Sequence, residues 1–362
     1  MIYNLDEKAI IFIDGFLNLD YKHKRAIIDL YNSPSEFLVN PNLAVDYLKQ
    51  SNLDKVASSM VIAINNNYAD SLIEKYKNRN IIVVTECSEN YPSELINLPI
   101  NPICLYCLGN IDLLNNKNKF SIVGSRKTLP QYLSLTEEFS LSLSSNGIVI
   151  VTGVALGGDL SAIKGAVNNG NLILVLAGGL DYIKSEVNRD YIFKNIKNGG
   201  LVISEYPPEV PTLAYHYPVR NRIIAGLSQA ALIISGDNKS GTRHTASFAL
   251  DYGKEVFAFP YTLGAMGGEL PNSLIKDGAY LVTTLNDICE VLGYNFNKNK
   301  VLEFTQEEKL VLEVIKNGKT LVDDIILDTG LKIFELMPVI TSLEIKGAII
   351  KTGGNEFAVV NL

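Results

Sequence analysis

Phe120-Ser121-Ile122-Val123-Gly124-Ser125-Arg126-Lys127 is an apolar run that ends in a glycine turn with two basic residues. The same order of apolar run, glycine turn and amphipathic stretch repeats along the chain. Further apolar runs occur at 148–152, 171–176, 201–204, 230–234 and 255–259. Strands that are apolar on both faces and alternate with helices are typical of a parallel sheet with helices on both sides. The sequence therefore predicts an α/β fold with a Rossmann-like, doubly wound parallel sheet.

The segments that flank this sheet have different patterns. Residues 1–80 lack strand alternation and are predicted to form a helical domain, and the Rossmann-like domain is predicted over residues 81–295. After a polar segment, Thr305-Gln306-Glu307-Glu308 fits a capping box, and two more helical stretches and a hairpin signal at Gly353-Gly354-Asn355 follow. Residues 301–362 are therefore predicted to form a winged-helix domain.

Composition limits the classes of function. The chain has 362 residues, 47% of them hydrophobic and 20% charged, with a net charge of −7. This balance is typical of a soluble globular protein and argues against a surface coated with basic residues for duplex DNA. The N-terminus has no basic segment ahead of an apolar stretch, and no apolar run reaches the roughly 18 residues of a membrane span. We therefore expect a cytoplasmic protein without a membrane partner.

The stretch from Tyr217 to Ser228 contains the strongest candidate for an anion site. Pro218 is followed by Arg220, Asn221 and Arg222 and then by an apolar helical pattern. Proline is favoured at helix starts, where free N–H groups and the helix dipole attract anions. Guanidinium groups at such a place would add their own charge, so the sequence predicts a phosphate site.

Two more turns have the character of phosphate sites. Gly124 to Lys127 and Ser240-Gly241-Thr242 each follow a predicted strand, where parallel α/β sheets bind their ligands. A tight turn with solvated charges and a plain N-cap are the structural alternatives. No G-x-G-x-x-G motif follows any strand, and Cys104 and Cys107 would point to opposite faces of one strand. The sequence therefore predicts no cofactor, no metal and no catalytic pair.

Aromatic residues near these turns suggest which class of molecule carries the bound phosphate. Tyr132, Tyr215 and Tyr217 lie close in sequence to the basic positions, although Tyr215 and Tyr217 could equally be core residues. Phosphate contacts combined with exposed rings are typical of single-stranded nucleic-acid binding. The residues alone therefore favour a single-stranded DNA or RNA ligand.

Taken in order, the motifs resemble the DprA/Smf family of bacterial DNA-processing proteins. The match includes Gly178-Gly179-Leu180-Asp181, Ser204-Glu205-Tyr206-Pro207, the Tyr217–Ser228 run and Asn272 to Ala279, in addition to the Gly124 turn. It covers nearly the whole chain and is weakest over the first eighty residues. The resemblance implies a SAM-like N-terminal module, single-stranded DNA binding without catalysis, dimerisation through the Rossmann-like domain, and loading of the RecA recombinase during natural transformation.

The resemblance also implies a DNA-binding set. By position, the family's pocket maps onto Gly124, Ser125, Arg126, Tyr217, Arg220, Asn221, Arg222, Ser240 and Gly241. The chain departs from the family in the turn after the second strand of the sheet, where an arginine and a histidine are replaced by Leu156 and Ile163. Arg243 and His244 supply basic groups in another loop. We therefore expect either a relocated basic surface or a reduced affinity.

Two other functions fit parts of the sequence. A nucleotide N-glycoside hydrolase shares a related fold, but the stretch Asn238 to Thr242 lacks that family's glycine pair and glutamate. A transcriptional regulator could act through the C-terminal winged helix. That domain is the most acidic part of the chain, with 6 Lys/Arg against 10 Asp/Glu in residues 301–362. We expect it to contact protein rather than duplex DNA.

Overall fold

The computed structural model describes residues 2–237, 239–296, 304–345 and 348–359. The chain divides into two compact units, Met1–Tyr294 and Asn295–Leu362. The residues before the sheet thus share a unit with it. Most of the polar segment that precedes the predicted winged helix, from 297 to 303, lies outside the described residues.

The first unit begins with a helical layer and continues as alternating strands and helices. Its helices are α1 (Leu5–Asp14), α2 (Tyr21–Asp29), α3 (Pro34–Val39), α4 (Asn42–Gln50), α5 (Asp54–Asn65), α6 (Tyr68–Lys77), α7 (Ser93–Ile96), α8 (Pro130–Ser145), α9 (Gly158–Ala166), α10 (Arg189–Lys197), α11 (His216–Leu227), α12 (Gly241–Asp251), α13 (Glu269–Lys276) and α14 (Leu285–Leu292). Its strands are β1 (Ile82–Thr85), β2 (Cys104–Gly109), β3 (Lys119–Val123), β4 (Val149–Thr152), β5 (Leu172–Val175), β6 (Leu201–Ser204), β7 (Ala230–Ile233), β8 (Glu255–Ala258) and β9 (Tyr280–Leu281).

Across the described residues of this unit, nine strands form one sheet in the order β1-β2-β6-β5-β4-β3-β7-β8-β9. The strands from β6 to β9 in this order are parallel, and β1 and β2 extend the sheet in antiparallel pairing. The chain builds the sheet outward from β3, first through β4 to β6 and then through β7 to β9. The predicted doubly wound α/β fold is confirmed, and the reversal beside β3 is the place where such folds bind ligands.

The six strands predicted from apolar runs are β3 to β8, each within one residue of its predicted bounds. All residues of β4, β5, β6 and β7 are buried, because helices cover both faces of the sheet. The main core contains side chains such as Val151, Ile173 and Ile233 from the sheet and Ile223 from α11. These buried strands provide a rigid base for the turns that follow them.

The helical layer before β1 is fixed to the sheet by buried polar contacts. Helix α1 is apolar over Ala9–Ile13, which is fully buried. At its end, the Asp14 carboxylate accepts hydrogen bonds from Lys24 Nζ at 2.9 Å and from Tyr106 Oη at 2.6 Å. Arg25, the residue after Lys24 in α2, pairs with Glu86 at 2.6 Å. These contacts explain why the layer and the sheet form one unit.

The described residues of the second unit form three helices followed by a hairpin. They are α15 (Gln306–Lys316), α16 (Val322–Thr329), α17 (Ile333–Ile345), β10 (Ile349–Gly353) and β11 (Glu356–Val359). The predicted capping box is present, because Thr305 and Glu308 cap each other's backbone N–H groups. The predicted helices and hairpin occur in the predicted order, and the assignment of a winged helix stays a prediction. In the described part of the chain, every helix is too short or too polar to serve as a membrane span.

Candidate functional site

A cavity of about 390 Å³ opens where β3 and β7 end, beside the reversal in strand order. Its walls are the turn after β3, the turn after β4, the first half of α11 and the start of α12. Eight of the nine predicted site residues line it: Gly124, Ser125, Arg126, Tyr217, Arg220, Asn221, Ser240 and Gly241. The structure thus brings together turns that are more than a hundred residues apart in sequence.

The turn after β3 is held by its backbone. Ser125 N donates to Ser235 O at 3.2 Å, and Gly158 N donates to Ser125 O at 3.2 Å. A Cβ on Gly158 would lie 2.5 Å from the Cα of Gly124, so the turns after β3 and β4 touch backbone to backbone. Arg126 leaves this fixed turn with an exposed side chain at the mouth of the cavity. The arrangement offers an anion the exposed cation of Arg126, with that of Lys127 beside it, above a rigid backbone.

The floor of the cavity contains a buried carboxylate, that of Asp159, and a buried guanidinium, that of Arg220. The Arg220 guanidinium donates through Nε to Asn221 Oδ1 at 3.0 Å and through Nη1 to the carbonyl of Val175. The Asp159 carboxylate accepts from the backbone N–H groups of Gly124 and Ala155, both at 3.4 Å. Burial raises the pKa of Asp159, and the nearby Arg220 charge opposes that rise. The same burial lowers the pKa of Arg220, which Asp159 in turn opposes.

Helix α11 begins earlier than the sequence predicts. Its first residue is His216, so Pro218 lies inside the first turn, where proline's missing N–H is not needed. Arg220 and Asn221 therefore lie in the second turn rather than at the helix N-terminus. Arg220 and Asn221 line the cavity from there. The sequence predicts that the arginine charges and the positive end of the helix dipole act at the same place. In α11 they do not, because the arginines lie beyond the first turn.

Asn221 and Ser240 complete the wall towards α12. Asn221 Nδ2 donates to Gly241 O at 3.1 Å, which joins α11 to the start of α12. Ser240 Oγ is buried and, among the described residues, has no hydrogen-bond partner. Tyr217 is half-buried and lines the cavity on the other side. An unsatisfied hydroxyl beside a cavity can donate to a ligand oxygen.

Arg222 is separated from the other predicted residues. Its side chain is 4% exposed and forms an ion pair through Nη2 with Glu205, whose side chain is 10% exposed. It lies two positions beyond Arg220 on α11, and residues two apart on a helix do not share a face. The structure therefore places Arg222 in the packing between α11 and the end of β6.

The positions at which the chain departs from the DprA/Smf pattern lie in different surroundings. Leu156 is 44% exposed in the turn after β4, next to Gly157, whose Cβ position lies 2.9 Å from Arg126 Cα. Ile163 is fully buried in α9. Arg243 and His244 are exposed in the first turn of α12, between the cavity-lining residues Thr242 and Thr245 in sequence. Leu156 is thus the departure that changes the rim of the cavity.

Sequence reasoning missed Asp159, which organises two turns of the site. A carboxylate directly after Gly157-Gly158 and behind a predicted strand is a signal that could have found it. Thr242, which the sequence places in a predicted phosphate turn, lines the cavity, and so does Thr245 one turn further along α12, which was not among the predicted site residues.

Comparisons with known proteins agree with this architecture. A family model for DNA recombination-mediator protein A matches residues 81–293. Protein Smf of Escherichia coli is 37% identical over 211 residues, which are 58% of this chain and 56% of that protein. The chain thus spans little more than half the length of that relative.

Two solved structures are similar over large parts of the chain. DNA processing protein A of Streptococcus pneumoniae has a TM-score of 0.62 and 28% identity, covering 82% of this chain and 100% of that one. DNA processing protein A of Helicobacter pylori, described for its single-stranded DNA binding mode, has a TM-score of 0.54 and 30% identity, covering 59% and 97%. The resemblance to the DprA/Smf family is thereby confirmed, and the chain belongs to the DNA recombination-mediator protein A family.

Proposed function

We propose that this protein binds single-stranded DNA, with a backbone phosphate on the turn after β3. The observation that carries the proposal is the exposed Arg126 above a turn fixed by Gly158 and Ser235, at the strand reversal. Gly124, Ser125, Ser240 and Gly241 allow close approach of the strand, and Tyr217 supplies a ring for a base. The description of the H. pylori relative supports the same ligand.

Within this proposal Arg220 and Asn221 shape the floor and wall, and Arg126 makes the phosphate contact. Arg220 Nη1 already donates a hydrogen bond to the Val175 carbonyl. The Arg220 guanidinium therefore attracts a ligand through its charge, from the floor of the cavity. Arg222 acts indirectly, by fixing α11 through Glu205. This assignment narrows the set implied by the resemblance to one direct cation.

The test is a salt titration of fluorescence anisotropy with labelled single-stranded DNA. For single strands the logarithm of affinity falls with the logarithm of salt, by about 0.7 per neutralised phosphate. Arg126→Ala is expected to weaken binding and to reduce the slope by about that amount. Lys197→Ala is the matched control, because Lys197 is an exposed cation at the last turn of α10, next to the start of β6 and thus at the opposite edge of the sheet. Equal binding by the two variants would contradict the proposal.

We further propose that the protein is a cytoplasmic, non-enzymatic homodimer that loads RecA onto DNA during transformation. The name of the matched family supports a role in mediating recombination. Tyr280 and Leu281 of the short edge strand β9 are exposed apolar side chains, which favour contact with a second copy at this end of the sheet. Light scattering on Leu281→Glu tests the dimer, and RecA assembly on DNA coated by a single-strand-binding protein tests the loading. Release of free base from nucleotides would contradict the non-enzymatic assignment.

A further inference from the structure

A second cavity, of about 510 Å³, lies on the other side of the α11 start. The end of α1 and the start of α2 form one wall, and the segment after β6 and the first residues of α11 form the other. Tyr215 and His216 line this cavity, while Tyr217 lines the one described above. Residues 215 to 217 are consecutive, so the two cavities share a single ridge.

The ridge presents aromatic rings. The rings of Tyr206 and His216 are stacked at 4.0 Å and 19°, which gives the wall a fixed, flat support. The Tyr215 ring lies nearly perpendicular to that of His216, with the ring centroids 4.5 Å apart, and the residue is 66% exposed. A large exposed ring that is anchored by a neighbouring ring is suited to stacking against a nucleobase.

The charges of this second cavity do not suit phosphate. Lys24 is paired with Asp14 inside the wall, so its charge is already balanced. Glu205 lines the cavity with a carboxylate whose Oε1 is buried and, within the described residues, unpartnered. Carboxylate oxygens accept hydrogen bonds from exocyclic amino groups such as cytosine N4, and thymine offers no such donor in that place.

We propose that this cavity is a nucleobase subsite, in which the base next to the bound phosphate stacks on Tyr215 beside the carboxylate wall. The inference rests on the proposed single-stranded DNA binding and specifies the path that the strand takes across the protein. The strand crosses the ridge from the Arg126 side to the Tyr215 side, leaving its phosphate with the cation and its base with the rings. The subsite favours cytosine over thymine.

The experiment compares oligo(dC) and oligo(dT) of equal length by anisotropy on the full chain. The wild type is expected to bind oligo(dC) about fivefold more tightly, the lower end of what one good base contact provides. Tyr215→Ala is expected to lose about tenfold in affinity for oligo(dC) and most of the preference, because one base loses its stack. Tyr215→Trp, which keeps a flat ring, is expected to retain both.

Phe193→Ala is the matched control, since Phe193 is an exposed ring on α10 outside both cavities. If Tyr215→Ala binds both oligonucleotides as Phe193→Ala does, while Arg126→Ala still weakens binding, the subsite is refuted and the proposed function stands. If Arg126→Ala has no effect either, the proposed function itself fails. A wild type without preference for oligo(dC) refutes the role of the carboxylate wall.

Discussion

Replacing Arg222 with alanine tests whether this residue stabilises the fold or holds DNA. The Arg222–Glu205 pair is almost completely buried, so the variant would leave the Glu205 carboxylate without its cation. Removing one partner of a buried pair costs about 3–5 kcal/mol. Glu205 Oε1 and Arg222 Nε and Nη1 have no partner among the described residues, so the pair is incompletely satisfied. We therefore expect a loss of about 3 kcal/mol, the lower end of that range.

The cost should depend on pH in a defined direction. Burial raises the pKa of Glu205 above its usual 4.5, and Arg222 is the main opposing influence. Without Arg222 the folded-state pKa rises further, so the folded protein holds its proton more tightly than the unfolded chain. The contribution of Glu205 to stability is then greatest below about pH 4.5 and is lost as pH rises through its raised folded-state pKa. The difference between Arg222→Ala and wild type should therefore be larger at pH 8 than at pH 5.

Urea unfolding followed by far-UV circular dichroism measures this effect. With a urea dependence of about 3 kcal/mol per molar, a loss of about 3 kcal/mol lowers the midpoint by about 1 M. The double variant Glu205→Gln/Arg222→Met removes both charges and should recover much of the loss. The reasoning is refuted if Arg222→Ala unfolds like wild type and instead lowers the salt slope of DNA binding as Arg126→Ala does.

Three further outcomes follow from the site. Gly158→Ala places a Cβ 2.5 Å from Gly124 Cα, so it should destabilise the unit and weaken DNA binding together, measured by urea midpoint and anisotropy. Leu156→Arg adds a cation at the rim beside Arg126, so it should tighten binding and steepen the salt slope; unchanged affinity would exclude a deficit at this turn. A chain ending at Tyr294 should keep the circular dichroism of a folded first unit and the single-stranded DNA affinity, because both cavities lie within that unit.

The sheet was predictable because its strands are buried on both faces. Continuous apolar runs such as 201–204 leave few alternatives, and the glycine turns between runs mark where strands end. The ligand site followed from the same pattern, since parallel strands bring their carboxyl ends to one edge. Arg126, Tyr217 and Ser240 could therefore be expected together from sequence alone.

The roles of Arg220 and Arg222 were not predictable from their spacing. Both stand in one basic cluster of the sequence, but they lie about 200° apart around the helix, so they face different surroundings. Their partners come from different parts of the sheet, because Val175 ends β5 and Glu205 directly follows β6. Helical periodicity indicates that the two arginine side chains point in different directions, but it does not indicate which of them contacts the ligand.

The contact between Gly124 and Gly158 has a consequence for the thermodynamics of binding. A wall made of backbone has no rotamers to freeze when a ligand arrives, and its hydrogen bonds to Ser125 are already formed. The ordering penalty of association then falls on the side chains of the rim, such as Arg126, Lys127 and Tyr217, and on the strand itself. A phosphate gripped in this way should bind with a small loss of protein conformational entropy, whatever base the nucleotide carries.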